Sequence, residues 1–127
     1  MYVDQRKQLG LQGVEPHGFH LLPECDRWWL AGWLEGEGSI TWDSKGVPKV
    51  CVEATDKDVV EKGGRLMGAG AIQFSKRKQP HHKDTWVVRV RGKKAILLML
   101  DLYPYMGERR RARIQEVILE YGDRYGR

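Results

Sequence analysis

A chain of 127 residues, 41% of them hydrophobic, suits one compact domain with its own core and excludes disorder over most of its length. Its net charge of +5, from 22 Lys and Arg against 17 Asp and Glu, points toward polyanionic partners. No apolar run is long enough to span a bilayer, the first ten residues lack a signal-peptide core, and two cysteines make no disulfide framework, so a cytoplasmic protein with reduced thiols is expected.

Residues 1–23 are polar, Gly-rich and aperiodic, and read as an N-terminal extension or loosely docked arm before a single domain over 24–127. From Trp28 the apolar residues crowd together (Trp28, Trp29, Leu30, Ala31, Trp33, Leu34), which predicts a helix ending near Gly38 and buried on more than one side. Asp26 is a candidate N-cap, with Pro23-Glu24-Cys25 as an alternative start. Strand-like segments follow near 39–44, 48–55, 70–77 and 85–91, joined in pairs by the turn residues Asp43-Ser44-Lys45-Gly46 and Gln79-Pro80-His81-His82. A helix near 57–67, with Asp56 as N-cap, separates the pairs, and helices near 93–102 and 108–121 break at Pro104. The order α-ββ-α-ββ-α-α describes an α+β domain with an antiparallel sheet.

Parity within the strands divides the sheet into two faces. Ile40, Trp42, Val50, Val52, Ala54, Ile72, Phe74, Trp86, Val88 and Val90 are even-numbered and apolar. Thr41, Asp43, Lys49, Glu53, Gln73, Ser75, Arg77, Arg89 and Arg91 are odd-numbered and polar. Because side chains alternate along a strand, one face packs on helices and the other is polar and mostly basic. That second face is either an ordinary solvated surface or one suited to phosphates and base edges. Basic residues also gather at 76–78 with Lys83, at 89–94 and at 109–113, which together hold more than half of the Lys and Arg.

The segment Leu30-Ala31-Gly32-Trp33-Leu34-Glu35-Gly36-Glu37-Gly38 is a poor plain helix. Each glycine costs roughly 1 kcal/mol relative to alanine. Each carboxylate at the negative end of the macrodipole costs about 0.3–1 kcal/mol more. Gly32 and Gly36 lie on one helical face, where missing side chains let another backbone approach, with Trp29 and Trp33 placed to support such a seam. The plainer alternative is a buried helix whose terminal glutamates point to solvent. If the neighbour is a copy of the same helix, two Glu37 carboxylates meet, and such like charges either raise their pKa values or recruit a cation. Mg²⁺, or a similar divalent ion such as Mn²⁺, accepts such oxygens and suits phosphodiester hydrolysis.

This nonapeptide resembles the LAGLIDADG motif of homing endonucleases, with Glu35 and Glu37 at its two acidic positions. The similarity extends to Thr55-Asp56-Lys57-Asp58, to 67–72, to Leu102-Tyr103-Pro104-Tyr105 and to Glu108-Arg109-Arg110-Arg111. The resemblance implies an αββαββα fold with a saddle-shaped antiparallel sheet over DNA. It further implies a homodimer, because only one motif is present, and cleavage of both strands of a palindromic or near-palindromic duplex. Carried over, Glu37 is the metal ligand, Gly36 its carbonyl neighbour, Arg109 a phosphate-stabilising cation and Asp56 a contributor to the water network. Glu replaces Asp at both acidic positions and Arg stands where the family more often has Lys, so Arg109 is expected to stabilise charge rather than relay protons. The implied DNA-facing set is Thr41, Lys49, Gln73, Ser75, Arg77, Arg89 and Arg91, and the implied seam is Trp29, Gly32, Trp33 and Gly36.

His17, His20 and Cys25, or His81-His82, lack a second pair at ligand spacing, so no zinc site is expected. The tryptophans, Trp42 and Trp86 above all, read as core. The competing functional reading is a non-cleaving nucleic-acid-binding protein of the same fold, a maturase or a DNA-binding regulator.

Overall fold

The computed structural model describes residues 18–76, 79–81 and 83–125. Among these, eight elements follow in order: α1 (Glu24–Glu37), β1 (Gly38–Trp42), β2 (Pro48–Ala54), α2 (Lys57–Met67), β3 (Gln73–Ser75), β4 (Thr85–Arg91), α3 (Lys93–Leu102) and α4 (Glu108–Tyr125). Short 3-10 turns occupy Gly18–Leu21 and Tyr103–Tyr105. The chain is therefore an α+β protein, and its four strands form one antiparallel sheet in the order β1-β2-β4-β3.

Parity explains which face is covered. Val50, Val52, Val88 and Val90 are buried in one cluster with Leu30, Ala31 and Leu34 of α1, Val60 of α2 and Ile114 of α4. Behind the sheet, α3 is apolar almost all round and buries Ala95 through Leu100 together with Leu102, which makes it the centre of the core. Fully burying a leucine-sized side chain contributes about 1.5–3 kcal/mol, so this one helix anchors the packing.

Several expectations change. Asp26 is not the N-cap of α1: the helix starts at Glu24 with Pro23 in the cap position, and Asp26 sits in the first turn. Residues 18–23 are no loose arm, since Phe19 is buried in the core and its ring meets Tyr105 edge-on at 5.3 Å. β3 is limited to three residues rather than spanning 70–77, and Arg77 falls outside the described residues. α4 runs on to Tyr125, past the expected end at 121.

Parity also breaks twice, for reasons of position. Phe74 is even-numbered yet 57% exposed, because β3 is an edge strand and its ring finds Trp86 only on one side, at 5.6 Å. Val87 is odd-numbered yet buried, because it stands between Glu53 of β2 and Gln73 of β3 in the register. None of the five tryptophans is fully buried: Trp28 is exposed and Trp29, Trp33, Trp42 and Trp86 line the rim of the core.

Candidate nucleic-acid interface

The uncovered sheet face is a lattice fixed by strand register. Thr41, Lys49 and Arg91 align across β1, β2 and β4, as do Ser39, Cys51 and Arg89 one step along. Glu53, Val87 and Gln73 form the next row, and Thr85 pairs with Ser75. Directly opposed residues of this kind bring their side chains to within about 4.5–5.5 Å at Cβ. The structure thus gathers Thr41, Lys49, Gln73, Ser75, Arg89 and Arg91 on one face, leaving only Arg77 of the expected set undescribed.

Some of these side chains are already engaged. Arg89 donates to the Gln73 side-chain oxygen at 3.1 Å, and the Thr85 hydroxyl donates to Glu53. Arg91 is ion-paired with Asp43, whose other oxygen accepts the Lys45 and Val47 amides at 2.8 and 3.0 Å. The Val47 amide chiefly, with those of Lys45 and the Arg91 guanidinium, holds the Asp43 carboxyl below its ordinary value against a smaller opposing effect of burial. Arg91 therefore doubles as a brace for the β1–β2 turn.

The second part of the site lies where α1 runs into β1. The Gly38 amide donates to the Leu34 carbonyl as the helix ends. A Cβ at Gly38 would stand 2.6 Å from that carbonyl oxygen, so the tight helix-to-strand turn admits only glycine. Gly36 belongs to the last turn, where the carbonyls beyond Leu34 have no intrahelical partner. Glu37 is exposed, and because Gly38 pairs with Val52 the chain enters the sheet at the end where β2 leaves toward Thr55-Asp56. Asp56 occupies the N-cap position of α2, but its side chain makes no capping hydrogen bond.

The start of α4 completes this edge. A cleft of about 560 Å³ is lined by Gly38, Ser39 and Ile40 of β1 and by Arg109, Arg110, Ala112, Arg113 and Glu116 of α4. Arg109 is exposed. Arg113 donates to the Ile40 carbonyl at 2.8 Å and lies 3.7 Å from Glu116. Arg110 is the buried charged residue among the described ones, and its guanidinium donates to the Glu35 carbonyl at 3.3 Å. In the sequence Arg110 and Arg113 stand out only as members of the basic cluster at 109–113. A signal for the first existed, since Arg110, Ile114, Val117 and Tyr121 form the buried stripe of α4 at helical spacing.

The glycine face of α1 is open. A Cβ at Gly32 or at Gly36 would meet nothing within 4 Å. Beside it, Trp29 stacks on Trp33 at 5.6 Å and carries the Lys62 ammonium 4.4 Å from its ring. Trp33 itself turns inward onto Gly63 of α2, so within one chain it serves the α1–α2 contact. Trp28, also exposed, leans on Tyr105 at 4.6 Å.

Among the described residues, no group of three or more His, Cys, Asp or Glu converges on one point. No helix among them is long and apolar enough to cross a membrane. Comparison with protein-family models, curated proteins and solved structures finds no match to this chain.

Proposed function

We propose that this chain is a LAGLIDADG-type homing endonuclease, which as a homodimer cuts both strands of a palindromic or near-palindromic DNA duplex with a divalent metal. One observation carries this reading: a helix face cleared by Gly32 and Gly36 ends at an exposed Glu37, beside a cleft lined by three arginines and Glu116. A helix face stripped of side chains suits close approach of a second helix. An isologous contact between two copies of α1 brings both Glu37 carboxylates to the twofold axis, each at the edge of its own basic sheet.

The donor set fits a hard cation. One chain offers the Glu37 carboxylate and the Gly36 carbonyl, both oxygen ligands of the type Mg²⁺ and Mn²⁺ accept, and the rest of the shell falls to the second copy, water and phosphate. A bound divalent ion would supply charge stabilisation and an activated water. The protein's own part is positional and electrostatic. Arg109 would meet the phosphate with a fixed positive charge, and the exposed carboxylate of Asp56 would hydrogen-bond water. Lys49, Arg89 and Arg91 attract the backbone, while Thr41, Gln73 and Ser75 offer donors and acceptors to base edges.

The reading is tested by incubating the protein and a Glu37→Gln form with a randomised duplex library in Mg²⁺. Cleavage by the parent and none by the variant supports it. Binding without cleavage by both replaces it with the non-cleaving binding protein, and equal cleavage by both removes Glu37 from the site.

A further inference from the structure

The two acidic residues of the motif end in different places. The Glu35 carboxylate reaches across to the start of α4, where its Oε1 accepts the Gly107 amide at 2.6 Å. Gly107 directly precedes α4, so this amide is one of the free donors at a helix N-terminus, where the macrodipole favours an anion. Oε2 of Glu35 lies 3.8 Å from the Arg110 guanidinium, which also holds the Glu35 carbonyl. Three contacts thus tie the last turn of α1 to the first turn of α4. A side chain at Gly107 would press on this junction, since its Cβ would stand 3.3 Å from Glu35 Oε1.

We propose that Glu35 and Arg110 form a latch that sets the reach of Glu37 and Gly36 on α1 relative to Arg109 on α4, and that Glu35 is a positioning residue and not a metal ligand. A cation would have to compete with the Gly107 amide and the Arg110 guanidinium for Glu35, whereas Glu37, two residues on, is free of such contacts among the described residues. A buried guanidinium needs partners, and Glu35 supplies both a carbonyl and a carboxylate. Without the latch, only core packing and the Arg113 bond to the Ile40 carbonyl would hold the two elements in register. Misplacement by about 1 Å in such a site costs on the order of 100-fold in rate.

The inference rests on the nuclease reading, and its test separates the two. On a duplex that the parent cuts, the single-turnover rate at saturating duplex, the duplex Kd and the half-saturating Mg²⁺ concentration are measured for Glu35→Ala, Glu35→Gln and Arg110→Met. Roughly a 10- to 100-fold loss of rate is expected for Glu35→Ala and Arg110→Met, with Kd and the Mg²⁺ requirement within threefold of the parent. Glu35→Gln keeps an acceptor for the Gly107 amide and should recover most of the rate. It also preserves the test if Glu35→Ala fails to fold. Parental rates in Glu35→Ala and Arg110→Met, or a Glu35→Gln form as inactive as Glu37→Gln, would overturn the latch while leaving the nuclease intact. A parent that cuts no duplex would instead overturn the nuclease reading and the latch with it.

Discussion

Trp33 fills the space that any side chain at residue 63 would need: a Cβ on Gly63 would lie 1.8 Å from its ring. This contact lets α1 and α2 approach, and it fixes how the motif helix sits on the domain. Gly63→Ala should therefore destabilise the fold by about 1–3 kcal/mol, the usual cost of overpacking. Urea denaturation measures it, and an unchanged midpoint would show that Trp33 moves aside freely.

Gly32 and Gly36 should behave in the opposite way. Nothing in the chain stands within 4 Å of a Cβ at either position. In the isolated protomer, Gly32→Ala should be neutral or stabilising by up to about 1 kcal/mol through helix propensity. In the proposed dimer the added methyl would separate the helices. Sedimentation should thus show weakened self-association in a protein that melts no earlier than the parent. A parental dimer in Gly32→Ala and in Gly36→Ala would move the interface elsewhere.

The acid side of the stability profile should carry the mark of Asp43. Its carboxyl titrates below the ordinary 3.8 in the folded protein. A depressed folded value means that the contribution is fully present above the unfolded pKa and is lost as pH falls through the folded one. Asp43→Asn should therefore lower stability near neutral pH and flatten its decline below about pH 4, where the parent is losing the same contacts. Thermal melts from pH 2 to 7 check this, and parallel profiles would exclude a role for the turn.

Duplex binding should depend on salt through a short list of cations. Lys49→Ala and Arg89→Ala should each weaken binding and reduce the slope of log affinity against log salt by about 1, as loss of one phosphate contact does. Arg91→Ala removes a residue that also braces Asp43, so it should add a loss of stability to its effect on binding. Slopes unchanged in Lys49→Ala and Arg89→Ala would place the nucleic acid on another surface.

Much of this was legible from residue order. Alternation fixed the two sheet faces because a half-covered antiparallel sheet has a strict period of two, and the 57–67 and 93–102 helices match their observed spans. Phe74 and Val87 escaped because their exposure depends on edge position and on neighbours in other strands. Phe19 escaped because one aromatic residue in a polar stretch has no period to reveal it. At the site, the glycines and Glu37 stood out as breaches of helix rules. Glu35 looked like a second copy of the same breach. Its contacts with Gly107 and Arg110 lie more than seventy residues away in sequence, where local rules carry no information.

The most direct measurement is cleavage of a selected duplex by the parent and by Glu37→Gln, side by side, with binding recorded in the same samples. The expected result is two-strand cleavage in Mg²⁺ by the parent, and binding without cleavage by the variant. Cleavage by the variant at the parental rate, or binding without cleavage by both, would contradict the assignment of Glu37 as the metal-holding residue of a nuclease.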